Sequence, residues 1–260
     1  MSGQSPQYAN YPSLEDRGVY ITGGGNGIGA SLVRLFAAQG AKVAFCDLDE
    51  AASQKVLDAC SGSKHPVRAS YFDLRDIEPL QNDIRAAATE FGGLKALVNN
   101  AAHDDRHDWT DVTPDYWDDR FHVNLRHQFF AIQAAAPIMK ANGGGAIVNM
   151  GSASWLLKED FFPGYATAKS AVQGLTTTMA RKLGIDGIRV NTVLPGWVFT
   201  ERQLEKWWSE EGEAASMEVQ CIKRRLYPDE HNQIILWLCA DDGAAATAQS
   251  FIIDMGRAGI

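Results

Sequence analysis

VYITGGGNGIGASLVRLFAAQG, residues Val19–Gly40, carries the pattern that decides the fold. A short β-rich run, Val19 to Thr22, gives way to a glycine-rich turn. Helical periodicity then runs from Ile28 to Gln39 through Ile28, Leu32, Leu35 and Phe36, and Gly40 stops it. Strand, glycine turn and helix in that order suit a phosphate group. Glycine lets backbone approach a pyrophosphate closely, and the helix start offers free N–H groups and a positive dipole end. The spacing is GxxxGxG through Gly23, Gly27 and Gly29, with Gly25, Asn26 and Ile28 completing the turn.

The alternation continues outward from this unit. Lys42–Cys46, Val67–Phe72, Lys95–Val98, Ala146–Met150, Ile188–Val193 and Ser250–Asp254 read as strands. Asp49–Cys60, Ile77–Phe91, Thr113–Asn142, Tyr165–Lys182 and Asp229–Cys239 read as helices. Thr113 caps its helix with Pro114 at the first position, and Pro137 is predicted to kink it or end it early. Residues 195–228 show helical patches but no strand. The pattern predicts an α/β fold: a single doubly wound domain, residues 17–260, with a seven-stranded parallel sheet behind a flexible arm, residues 1–16. Ligands in such sheets bind beyond the carboxyl ends of the strands.

Composition narrows the partners. A net charge of −8 argues against general affinity for nucleic acid or anionic membrane. The four cysteines show no CxxC or metal-ligand spacing and read as reduced thiols. The N-terminus lacks a secretory pattern, and the longest apolar run, Ile234–Ala240, is too short to span a bilayer. The expectation is a soluble, cytoplasmic globule.

The strand ends carry the chemistry. Asp47 closes the second strand, where a carboxylate accepts hydrogen bonds from both ribose hydroxyls of an adenosine and repels a 2′-phosphate. No Arg or Lys stands at Asn26, Leu48 or Asp49, so the cofactor is expected to be NAD. Asp73, followed by Leu74, is placed to receive an adenine amino group. Asn100 and Ala101 would flank the cofactor with backbone, and Pro195, Gly196, Val198 and Thr200 follow the sixth strand. Tyr165 and Lys169, four apart, share one helical face. A phenol with an ordinary pKa of about 10 is a poor base, and a close ammonium would have to supply about 4 kcal/mol to lower it by roughly three units. Ser152 follows the fifth strand and would hold a substrate oxygen. Asn124, inside a helix, needs a partner or a bound water.

TGGGNGIG, Asp73, Asn99–Ala101, Asn124, Ser152, YATAK at Tyr165–Lys169, and Pro195-Gly196 with Thr200 together resemble the short-chain dehydrogenase/reductase family. The resemblance runs from Gly18 to Met255, with one departure at Ala102, where the family usually has glycine. It implies a Rossmann-type fold and a tetrad. Tyr165 would take the hydroxyl proton, Ser152 would bind the reacting oxygen, Lys169 would bind the nicotinamide ribose and tune Tyr165, and Asn124 would hold a relay water. It also implies pairing of the Thr113–Asn142 and Tyr165–Lys182 helices in a homodimer or homotetramer.

Asn99–Phe130, Gly151–Trp155 and the ERQ and KWW segments after Thr200 are similar to bacterial sugar 1-dehydrogenases acting on D-xylose, L-arabinose or D-galactose. This narrower resemblance implies oxidation of an anomeric hydroxyl to a lactone. Candidate substrate residues are Asp104, Arg106, Ser152, Trp155, Glu159, Tyr165, Trp197 and Arg202, with His103 and Asp105 on the same loop. Trp197 and Trp207-Trp208 favour a five-carbon aldose. His103, Asp105 and His107 do not form a closed ligand set, and no metal is expected. Two rivals remain: an NADPH-dependent reductase of acyl thioesters, which calls for a basic residue near Asn26 or Leu48, and a non-catalytic dinucleotide-binding regulator, which calls for loss of Ser152, Tyr165 or Lys169.

Overall fold

Strands buried on both faces dictate the architecture. In the computed structural model, which describes residues 7–258, β1 (Gly18–Thr22) is wholly buried and pairs with its neighbours in parallel. The elements then follow in order: α1 (Gly27–Ala38), β2 (Lys42–Asp47), α2 (Glu50–Ala59), β3 (Arg68–Tyr71), α3 (Ile77–Phe91) and β4 (Ala96–Asn99). After them come α4 (Pro114–Phe121), α5 (His127–Ala141), β5 (Gly145–Met150), α6 (Pro163–Leu183) and β6 (Ile188–Pro195). The chain closes with α7 (Glu201–Lys206), α8 (Glu210–Val219), α9 (Pro228–His231), α10 (Gln233–Cys239) and β7 (Ser250–Ile253).

The seven strands form one all-parallel sheet in the order β3-β2-β1-β4-β5-β6-β7. Alternate strand residues feed two cores. Val19, Ile21, Val43 and Val98 pack with Leu32, Phe36, Val56 and Leu236 of α1, α2 and α10. Tyr20, Ala44, Leu97 and Ile147 pack with Ile84, Ile132, Met139 and Ala180 of α3, α5 and α6. The winding reverses between β1 and β4, which opens a crevice at their carboxyl ends. Among the described residues no helix is long and apolar enough to cross a membrane.

Four expectations are corrected. The segment Thr113–Asn142 is not one regular helix: a π-helical turn, His122–Arg126, separates α4 from α5. Pro137 neither ends nor interrupts α5; it lies on the exposed side with Gln133, whose carbonyl it leaves without an N–H donor, so water can satisfy that group. The helix expected over Asp229–Cys239 is divided at Asn232, whose side-chain amide donates to Ile28 O and Ser31 Oγ on α1. In the arm, residues 1–6 lie outside the described residues, and Leu14 of the turn Pro12–Leu14 is buried in the core beneath α1 rather than loose.

Candidate active site

The crevice is a single cleft of about 940 Å³ reached from the strand ends. Its first wall is the glycine turn. Gly25 N donates to Asp47 Oδ2 at 2.7 Å, and a Cβ on Gly25 would lie 2.9 Å from that oxygen, so any side chain there would displace the carboxylate. Gly29 sits so close to the turn that a Cβ would fall 1.8 Å from Gly23 O. Asn100 ties β4 to this turn, donating to Thr22 O at 3.0 Å and Gly23 O at 2.8 Å. Leu48 is 67% exposed beside Asp47, an apolar shelf on the cleft rim. Asp73 is gripped by Arg75, which holds its carboxyl below the usual range and also pairs with Asp119.

Tyr165 and Lys169 project from α6 into the same cleft, with Lys169 Nζ 5.9 Å from the phenol ring centroid. Nζ donates to Met150 O at 2.7 Å, at the end of β5. Burial lifts the Tyr165 phenol well above its ordinary value, Asp104 adds to the rise, and the Ser152 hydroxyl beside it opposes. Burial likewise pulls Lys169 down to about 7, against Asp104. The shared face expected of the pair is present. In the protein alone, however, burial outweighs any ammonium effect and disfavours both charged forms.

The π-helical turn pushes Asn124 inward. Its Oδ1 accepts from His103 N at 2.9 Å, and its Nδ2 donates to His103 O at 3.1 Å and Arg120 O at 2.9 Å. The amide therefore braces the loop after β4.

The far end is walled by paired charges and rings. Asp104 accepts from Gln203 Nε2 at 2.6 Å and pairs with Arg202 at 3.2 Å, which also reaches Asp105 at 3.0 Å. Glu159 pairs with Arg257 at 3.0 Å, while burial pushes its carboxyl up. Arg106 lies between the rings of Phe161 and Trp207, 4.3 and 4.6 Å from their centroids. Trp197 stacks on Phe199. Trp155 does not line the cleft, and Trp208 is turned outward to Glu213.

Comparison with known proteins decides the family. A model described as enoyl-(acyl carrier protein) reductase matches residues 23–258. The chain is 46% identical to the "probable galactose dehydrogenase GalD" of Rhizobium meliloti (strain 1021), over 95% of this chain and 97% of that one. It is 46% identical to the D-xylose 1-dehydrogenase of Caulobacter vibrioides (strain NA1000 / CB15N), over 95% of this chain and 98% of that one. A double mutant of a Serratia marcescens short-chain dehydrogenase/reductase superposes with a TM-score of 0.87 at 33% identity, covering 95% of this chain and 100% of that one. The chain belongs to the short-chain dehydrogenase/reductase family.

It is accordingly an oxidoreductase, and the family uses nicotinamide dinucleotides. The cleft fits such a group: the close-packed glycines leave room for a pyrophosphate at the start of α1, and the Asp47 carboxylate lines the cleft at the end of β2. Gly23, Asn26, Gly27, Ile28, Gly29, Asp47, Leu48, Asp73, Leu74, Asn100 and Ala101 all line it, as do Pro195, Gly196, Val198 and Thr200. Gly25 stands just behind, bonded to Asp47, and Asn124 acts from behind the loop. Sequence reasoning missed Phe161, Gln203 and Arg257. Gln203 belongs to the ERQ segment but was not singled out from it, and Arg257 lies beyond the last motif of the resemblance.

Proposed function

We propose that this oxidoreductase uses NAD to oxidise the anomeric hydroxyl of an aldose to the lactone, with Tyr165 as the base. The observation that carries this reading is one cleft that joins the Asp47 cradle, the Ser152–Tyr165–Lys169 group and a wall of paired charges and aromatic rings. Paired charges and flat rings suit a neutral polyhydroxylated ring. Relatives named for D-xylose and galactose support the same class. Bound NAD would supply the hydride acceptor. Ser152 orients the reacting oxygen, Tyr165 takes its proton, and Lys169 stabilises the phenolate while held by Met150 O. Asp47 disfavours a 2′-phosphate, and Leu48 offers it no cation. The protein is further proposed to act in the cytoplasm as a two-fold symmetric homo-oligomer, a homotetramer by the family's habit.

A panel of aldoses assayed for NADH formation tests the reaction. D-xylose, L-arabinose or D-galactose should turn over with a rate that climbs with pH and is still climbing at about pH 10, because burial holds the phenol that must ionise above its ordinary value. Tyr165→Phe should keep NAD affinity and lose at least about a hundredfold in kcat. NADH formation from an aliphatic or steroid alcohol but from no aldose would end the sugar reading. For the cofactor, Asp47→Ala with Leu48→Arg should move the preference toward NADP by removing a repulsion and adding a phosphate partner. A native preference for NADP would overturn the assignment of Asp47.

A further inference from the structure

The chain end carries a feature that no motif signals. After β7, Asp254 is 7% exposed and folds the following residues into a tight turn: its Oδ1 accepts from Gly256 N at 2.9 Å and its Oδ2 from Ala258 N at 2.6 Å. Met255 and Gly256 both have positive φ, 60° and 76°. Met255 O accepts from Cys221 N at 2.9 Å and Ile222 N at 3.1 Å, which fastens the turn to the segment after α8. A Cβ on Gly256 would lie 2.8 Å from Cys221. This construction delivers Arg257 into the cleft, where Nη1 meets Glu159 Oε1 at 3.0 Å. The side chains are only 22% and 18% exposed, and the Glu159 charge is felt by Tyr165.

We propose that Arg257, with Glu159, is a specificity-determining residue that reads a vicinal diol of the sugar. The inference rests on the aldose reading above. The Nη1–Oε1 bond engages one edge of each group, and each has a further hydrogen-bonding atom, Arg257 Nη2 as donor and Glu159 Oε2 as acceptor. Two adjacent hydroxyls match that arrangement, one donating to the carboxylate and the other accepting from the guanidinium. An anion would meet Glu159 and a cation would meet Arg257, so the pair selects a neutral polyol. A hydroxyl-poor alcohol leaves the second atom of each group, Arg257 Nη2 and Glu159 Oε2, desolvated without a partner, and a polar site discriminates strongly on that ground.

Steady-state kinetics at saturating NAD test this with the full chain. The substrates are D-xylose, D-galactose and cyclohexanol. Arg257→Ala should raise KM for the preferred aldose by roughly tenfold or more while kcat stays within about threefold, should leave NAD affinity unchanged, and should narrow the preference for the aldose over cyclohexanol. Arg257→Lys should recover part of the loss, and Glu159→Gln should reproduce it. The double variant should be little worse than either single one, because the two act as a unit. Aldose KM in Arg257→Ala within about twofold of the parent, where the parent oxidises aldoses, overturns the inference alone. Turnover of cyclohexanol but of no aldose by the parent overturns the sugar reading and this inference with it.

Discussion

At the scale of single residues, Lys169 sets a conflict between stability and activity. It is 1% exposed, and burial draws its pKa down to about 7 from an ordinary value of 10.5. The unfolded chain therefore binds more protons than the folded one between those values. Its contribution to stability is greatest above pH 10.5 and is lost as pH falls toward 7. At neutral pH the folded protein carries a penalty on the order of a few kcal/mol, partly offset by the bond to Met150 O. Lys169→Met should remove that penalty. The variant is expected to gain about 1–3 kcal/mol against urea at pH 7, with the advantage shrinking toward pH 10, while turnover collapses. A Met variant less stable than the parent at pH 7 would show that the hydrogen bond outweighs the buried charge.

Among elements, the π-helical turn between α4 and α5 does for the site what a regular helix cannot. One extra residue in the turn carries Asn124 inward to the backbone of His103, so the loop bearing Asp104 and Arg106 is held in place. Asn124→Ala would leave His103 N and O and Arg120 O without these partners. Stability should fall by about 1–3 kcal/mol, and sugar kcat/KM should fall more than NAD affinity, which urea unfolding and a fluorescence titration can read separately. Parent-like stability and kinetics would refute the brace.

The same turn shows where the sequence stops being legible. Strands and most helices could be read because each is a local pattern: apolar runs for strands buried on both faces, periodicity and capping for helices, glycine for the cofactor turn. The site residues borne by strand ends and by α6 were legible for the same reason. Asn124 stood out as a poor helix former, but its extra turn did not, because His103 lies twenty-one positions away. Pro137 misled because its effect depends on whether the carbonyl of Gln133 faces water. Trp155 misled because a side chain's direction on an irregular loop has no periodicity. Arg257 was illegible because it meets Glu159 only through the fold, ninety-eight positions apart.

At the scale of the whole molecule, charge and exposed rings make opposite demands on assembly. Each chain carries a net charge of −8, so copies repel one another at long range. Against this, α4 and α5 present aromatic surface: Trp117 is 36% exposed and packs 5.2 Å from Phe121, and Phe129 is 40% exposed beside Phe130. Exposed rings of this size on two successive helices are the kind of surface that a second copy related by a two-fold axis would bury. An interface of that kind is apolar, so salt should strengthen it by screening the repulsion, whereas an interface of ion pairs would weaken. Light scattering at micromolar concentration should therefore give a dimer or tetramer that persists as sodium chloride rises from about 0.02 to about 0.5 M. Phe129→Asp should shift the mass downward while leaving the far-ultraviolet spectrum unchanged, since Phe129 lies outside both cores. A monomer at low salt that remains monomeric at high salt would show that these rings face solvent, and that the site is complete within one chain.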